Sequence, residues 1–139
     1  MAGVRVVLDT QVWLDWLVFD DPSAAALREA HAAGRMEIVI DDACEAELVR
    51  VLAYDLGRFT LEPSEQTGCV ARCRGVAQRV PPGDAAELPR CKDSDDQKFL
   101  ELAARAGAQY LISKDQALLE LAPRVAQFRI LAPRDFREP

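Results

Sequence analysis

Asp93-Ser-Asp-Asp-Gln-Lys-Phe-Leu-Glu-Leu-Ala-Ala-Arg-Ala-Gly-Ala-Gln-Tyr-Leu-Ile-Ser-Lys-Asp115 decides how the chain is read. An acid cluster opens an amphipathic helix with Phe99, Leu102, Ala103 and Ala106 on one face, and Gly107 closes it. A short apolar strand, Tyr110–Ile112, then delivers Asp115 near its C-terminal end. The N-terminus repeats the pattern, because Val4–Leu8 is a compact apolar strand that ends on Asp9 and runs into Thr10. Two strands that each finish in a carboxylate, with helices following, describe an open α/β sheet whose ligands gather at the carboxyl ends of its strands.

Working outward, Thr10 can cap a first helix on which Val12, Trp13, Trp16 and Leu17 recur at helical spacing; the tryptophans are most simply core. Asp20-Asp21-Pro22-Ser23 breaks the chain, and a second helix over 24–33 is closed by Gly34. Met36–Ile40 is the second strand. A third helix over about 43–55 has Cys44, Leu48, Val51 and Leu52 as its apolar stripe, with Glu45 and Glu47 at opposite edges. Periodicity does not choose between the two glutamates. A turn at Gly57 leads to a helix from Pro63-Ser64, then a weak edge strand over 76–80 and a linker-like segment over 81–90 that is too short to divide domains. A short helix over 116–121 stops before Pro123, and 128–131 is the last strand. Strands alternating with helices predict one domain over 1–139, with a mostly parallel sheet and helices on both its faces.

At 139 residues, half of them hydrophobic, the chain is long enough to bury roughly two thirds of its unfolded surface. No apolar run is long enough to cross a bilayer, and the N-terminal one is broken by Arg5 and Asp9, so the expectation is a cytoplasmic protein with no membrane partner. Cys44, Cys69, Cys73 and Cys91 have no zinc-like pairing, and the single histidine, His31, lies far from them in sequence. Reduced thiols are expected, and a histidine-based nucleophile is disfavoured. The net charge of −6 argues against gripping nucleic acid by bulk electrostatics. That objection weakens if the negatives pool where bound cations reverse the local sign.

Asp9, one glutamate of the third helix, Asp93 or Asp96, and Asp115 all fall at element ends facing one rim of the sheet. Carboxylates pushed together repel and partly protonate unless a cation neutralises them, and hard oxygen donors suit Mg2+ or Mn2+. Each acid also has a local explanation. Asp93, Asp95 and Asp96 are favoured at any helix N-terminus, which best accounts for Asp95; Asp9 and Asp115 can cap helices; and Glu47 can pair with Arg50. Convergence on one edge favours a metal site and hydrolytic phosphoryl transfer. Lys92, Lys114, Arg50 and Arg90 lie near the acids and are candidates for phosphate contacts.

Together, Val-Val-Leu-Asp-Thr-Gln at 6–11, Glu-Leu-Val-Arg-Val-Leu at 47–52, Lys-Asp-Ser-Asp-Asp-Gln-Lys-Phe-Leu-Glu-Leu-Ala at 92–103, Ser-Lys-Asp at 113–115 and Ile-Leu-Ala-Pro-Arg-Asp-Phe at 130–136 resemble the PIN-domain nucleases. The likeness is to the bacterial, VapC-like branch that supplies toxin components of toxin–antitoxin pairs. It implies a three-layer α/β/α sandwich with a central, mostly parallel sheet of four to five strands. It also implies Mg2+- or Mn2+-dependent cleavage of single-stranded RNA, a homodimer and a cognate antitoxin. Position by position, Asp9, Asp93, Asp96 and Asp115 resemble the metal-binding acids, and Glu47 rather than Glu45 the second catalytic acid. Thr10, Gln11 and Ser113 stand as their supporting residues. Gln11 replaces the family's usual asparagine and Ser113 its usual threonine, which touches the hydrogen bonds behind the acids more than the acids themselves.

Two other readings compete. A receiver-like signalling module is also an α/β sheet with acids at strand ends, but it expects paired acids after the first strand, where this chain has only Asp9. An inactive binding module with the same fold would associate without metal-dependent cleavage.

Overall fold

The computed structural model describes residues 4–84 and 87–137; residues 85 and 86, within the expected linker, lie outside them. Five strands, β1 (Val4–Leu8), β2 (Met36–Ile40), β3 (Ala77–Arg79), β4 (Tyr110–Ile112) and β5 (Arg129–Leu131), form one sheet in the order β3-β2-β1-β4-β5. Every neighbouring pair is parallel. Six α-helices accompany them: α1 (Thr10–Leu17), α2 (Ala25–Ala32), α3 (Asp42–Leu52), α4 (Pro63–Val76), α5 (Gln97–Ala106) and α6 (Gln116–Leu119).

Successive side chains of a strand point to opposite faces. Val6, Val7 and Leu8 of β1 and Ile38, Val39 and Ile40 of β2 are all at most 2% exposed, so the centre of the sheet is covered on both faces, as in an α/β/α sandwich. Helix α5 packs on β1 and β4, α2 on β2, and α4 on the edge strand β3. Trp13 and Trp16 are core, with ring centroids 6.0 Å apart, and His31 meets Trp16 edge-on while bonding the carbonyl of Val76. The four cysteines are free and buried.

The strand order positions the site. From β1 the chain steps outward through β2 to β3, crosses back to β4 on the other side of β1, and continues to β5. The direction of winding therefore reverses between β1 and β4, and a crevice opens there at the carboxyl ends. Parallel register pairs Leu8 with Ile112, and the Asp9 N–H extends the ladder to the Ile112 carbonyl at 3.1 Å. Asp9 and Ser113 thus emerge side by side.

Several boundaries differ from the sequence expectation for local reasons. Asp9, not Thr10, is the N-cap of α1, its carboxylate accepting from the Val12 N–H at 3.0 Å, and Thr10 is the first helical residue. Asp21 caps a single 3-10 turn, Pro22–Ala24, ahead of α2. Helix α3 stops at Leu52 because Asp55 turns the chain, accepting from the Gly57 N–H at 2.9 Å while Gly57 takes φ +64°. The acid cluster itself forms a 3-10 turn, Ser94–Asp96, before α5 begins. At the other end of α5, Gly107 takes φ +64°, the left-handed closure that a glycine adopts without a Cβ clash.

Candidate metal centre

The N-termini of α1 and α6 and the 3-10 turn before α5 converge on the β1/β4 crevice, and each holds its acid by one carboxylate oxygen. Asp9 Oδ1 accepts from the Val12 N–H, Asp93 Oδ1 from the Asp95 N–H at 3.0 Å, and Asp115 Oδ1 from the Ala117 N–H at 2.8 Å. Each cap holds its carboxylate by one oxygen and leaves a second oxygen outside the cap bond. For Asp9 that second oxygen accepts the Ser113 hydroxyl, while the Ser113 oxygen accepts the Asp115 N–H at 2.9 Å. Ser113 is fully buried and ties the first acid to the last.

Asp96 differs from these three. Its carboxylate makes no cap, and its buried Oδ2 has no hydrogen-bond partner. Carboxylate oxygens of Asp93, Asp96 and Asp115 lie within 4.8 Å of one another. Burial, then a hydrogen bond with the Asp115 carboxylate that favours the protonated acid, and then the charges of Asp115, Asp93 and Asp9 push Asp96 up to about 7. Burial likewise raises Asp9 to about 6, against the Ser113 and Val12 hydrogen bonds that favour its charged form. Asp9, Glu47, Asp96 and Asp115 line one cleft of about 370 Å3, together with Thr10, Gln11, Leu14, Val51, Phe99 and Lys114. A cluster of hard oxygens with an unpartnered buried oxygen suits a divalent, oxygen-seeking cation, whose charge would remove the mutual repulsion.

Glu47 occupies the α3 wall of this cleft. The Thr10 hydroxyl donates to its Oε2, Lys98 Nζ donates to its Oε1 at 2.6 Å, and Arg50 approaches at 3.8 Å. Glu45, which periodicity left equal to it, faces away from the cleft and is clamped by Arg74 at 2.6 Å and by Arg79. The Glu47 edge of the helix therefore faces the cleft.

The cations expected near the acids are placed unevenly. Lys114 lines the cleft, but its ammonium is 2.6 Å from Asp15 and 3.7 Å from Asp21. Arg50 is exposed at the rim, its Nε donating to the Tyr54 hydroxyl at 3.3 Å. Lys92 is 81% exposed beside Glu120, and Arg90 is exposed. Gln11 does not reach an acid of the cluster; its amide donates to Asp15 at 3.1 Å.

Two residues of this network escaped the sequence reading. Asp15 is 2% exposed and anchors both Gln11 and Lys114. An acid inside the apolar run Val-Trp-Leu-Asp-Trp-Leu was the available signal, since a buried charge requires a partner. Lys98 gave no such signal, because its partner Glu47 is 51 residues away.

A sequence model described as the PIN domain matches residues 5–117. Among solved structures, the crystal structure of VapBC2 from Rickettsia felis bound to a DNA fragment from their promoter superposes with a TM-score of 0.58. The match covers 91% of this chain and 96% of that one at 10% identity, a likeness of fold. No curated protein sequence matches significantly.

Proposed function

This chain belongs to the PIN-domain family, and on that premise we propose that it is a divalent-metal-dependent endoribonuclease that hydrolyses phosphodiester bonds of single-stranded RNA in the cytoplasm. The observation that carries this reading is the unbalanced acid cluster at the winding reversal, where Asp93, Asp96 and Asp115 crowd within 4.8 Å and Asp96 keeps a buried oxygen without a partner.

Asp93, Asp96 and Asp115 would hold the cation, with Asp9 beside them; Mg2+ or Mn2+ suits an all-carboxylate donor set. Bound there, such an ion acidifies a water and stabilises charge on the phosphodiester oxygens. The chain's own residues supply the geometry. The caps of α1 and α6 and the Asp93 turn fix the carboxylates before substrate arrives, and Ser113 and Thr10 orient Asp9 and Glu47 by their hydroxyls. Leu14, Val51 and Phe99 supply the apolar part of the cleft's lining beside the acids.

The same reading makes the protein the toxin of a toxin–antitoxin pair. A cognate antitoxin would cover the acidic cleft, with a basic side chain entering among the carboxylates, and the active form would be a homodimer. The structural neighbour is itself a toxin–antitoxin complex on DNA, which supports the pairing by analogy of fold.

Cleavage of a labelled, mixed-sequence single-stranded RNA with Mg2+, Mn2+ or EDTA tests the proposal, with Asp9→Asn and Asp96→Asn purified alongside. Cutting that requires the metal and disappears in both variants is expected. RNA left intact with either metal, or variants that cut as well as the parent, would turn the interpretation to the inactive binding module.

A further inference from the structure

We propose that Gln11 is the residue by which the cleft tells RNA from DNA, its side-chain amide meeting a ribose 2′-hydroxyl beside the scissile phosphate, and that Asp15 is the positioning residue behind it; this rests on the nuclease reading above. A phosphodiester is the same group in RNA and DNA, and on that reading the nucleophile is a metal-activated water rather than the 2′-hydroxyl. Contacts of the acids and their cation with the phosphate therefore carry no preference between the two polymers. A preference for RNA requires a protein group that meets the 2′-hydroxyl, which both donates and accepts hydrogen bonds.

Among the described residues lining the cleft, Thr10 and Gln11 are the polar, uncharged ones. The Thr10 hydroxyl is spent on Glu47. The carboxylates of Asp9, Asp96 and Asp115 belong to the acid cluster, and the Lys114 ammonium only donates and lies 2.6 Å from Asp15. Gln11 is exposed on the first turn of α1, two residues after Asp9. A glutamine amide has two N–H donors and a carbonyl acceptor. One N–H goes to Asp15 Oδ1 at 3.1 Å, and the other, with the carbonyl oxygen, has no partner among the described residues. Gln11 thus offers a donor and an acceptor together, the pair that a hydroxyl matches.

Asp15 fixes which way that amide points. It is 2% exposed, one turn along α1 from Gln11, and its Oδ2 is ion-paired with Lys114. A carboxylate in an ion pair accepts and does not donate, so it holds the NH2 end of Gln11 and turns the carbonyl oxygen away. Asp15→Asn sets an amide opposite the amide, and either orientation of Gln11 is then satisfied. An amide held before substrate arrives spares the cost of ordering a glutamine side chain on binding.

The test takes an RNA that the wild type cuts in Mn2+, remade with a single 2′-deoxy nucleotide at each position around the cut, and compares wild type, Gln11→Met and Asp15→Asn, all with melting curves to verify folding. In wild type one deoxy position slows cleavage about five- to tenfold, the worth of one hydrogen bond. Gln11→Met cuts the all-ribose RNA more slowly by the same factor and shows no further loss at that position, because both changes remove one contact. Asp15→Asn shrinks the deoxy penalty to about twofold, which a merely structural carboxylate would not do. Mn2+ affinity by calorimetry stays within about threefold in Gln11→Met, against the roughly 10–100-fold loss typical of a residue that supports a metal site. Three results in Gln11→Met overturn the proposal while wild-type cleavage leaves the nuclease reading standing: an undiminished deoxy penalty, Mn2+ binding weakened about tenfold or more, or altered bases flanking the cut with the penalty intact, which would make Gln11 a base reader. Wild-type cleavage with no deoxy penalty at any position does the same, and a full penalty in Asp15→Asn overturns the positioning role. A wild-type protein that leaves RNA intact with either metal overturns both readings.

Discussion

Glu45 and Glu47 sit two residues apart on α3 and face opposite kinds of surroundings. Glu45 looks into the broader hollow, about 740 Å3, where Arg74 and Arg79 clamp it and Arg79 also reaches Asp42; acids and bases are matched there. Glu47 looks into a cleft half that volume, lined also by Asp9, Asp96 and Asp115, with Lys114 already committed to Asp15. The larger hollow has its charges paired, and the smaller one carries a surplus. Imbalance that the fold tolerates without a partner, rather than cavity size, marks the place where a charged ligand belongs.

Substitutions at the two ends of this contrast should separate cleanly. Asp96→Asn removes the acid at the centre of the surplus, and metal-dependent RNA cleavage should fall by roughly 10²–10³-fold or more. Glu45→Gln, in matched surroundings, should leave cleavage near wild type. A large loss of activity in Glu45→Gln, with the fold intact, would erase the distinction.

Stability should show the reverse. The Glu45 carboxylate is 8% exposed while Arg74 and Arg79 are 63% and 43% exposed, so solvent screens part of the network. Glu45→Gln should cost about 1–2 kcal/mol, read as a lower urea midpoint at unchanged m-value. Asp96→Asn should instead stabilise the metal-free protein, because it relieves repulsion.

A pH series sharpens the same point. Asp96 and Asp9 are raised from 3.8 to about 7 and about 6, so the folded chain binds more protons than the unfolded chain between those values. Stability is therefore highest at the acid end of that window and is lost as pH rises through it. In EDTA the melting temperature should fall from pH 5 to pH 8, other titrations being common to all variants. Asp96→Asn should flatten that fall by roughly 3–5 °C, and added Mn2+ should do likewise in the wild type. A fall of equal depth in Asp96→Asn would remove Asp96 from the explanation. The smallest effect is expected at Lys92, whose side chain lies 3.5 Å from Glu120 in full view of solvent. Lys92→Ala should change cleavage by less than about twofold and stability by less than about 0.5 kcal/mol. A larger change in the rate would restore Lys92 as a phosphate contact.

The fold was legible because its signals are local. Val4–Leu8, Met36–Ile40 and Tyr110–Ile112 are short apolar runs bounded by polar residues, and the alternation with helices leaves a parallel sheet as the compact solution. The acids were legible through position, since Asp9, Asp93 and Asp115 each follow a strand or precede a helix. Helix boundaries were less so. Whether Asp9 or Thr10 caps α1 depends on which side chain meets the Val12 N–H, and either residue type can do so. The choice between Glu45 and Glu47 lay beyond periodicity because both flank the same apolar stripe; Arg74 and Arg79, which claim Glu45, arrive from elements 29 and 34 residues further along. Lys98 was out of reach for the same reason, its contact with Glu47 being a product of tertiary packing between α3 and α5.

The most direct measurement is calorimetric titration of Mn2+ into the metal-free protein at pH 7.5 for wild type, Asp96→Asn and Glu45→Gln. Saturable binding in wild type and Glu45→Gln, lost in Asp96→Asn, is the predicted result. Equal binding in all three, or none in wild type, would contradict the claim that the surplus of carboxylates between β1 and β4 is a metal centre.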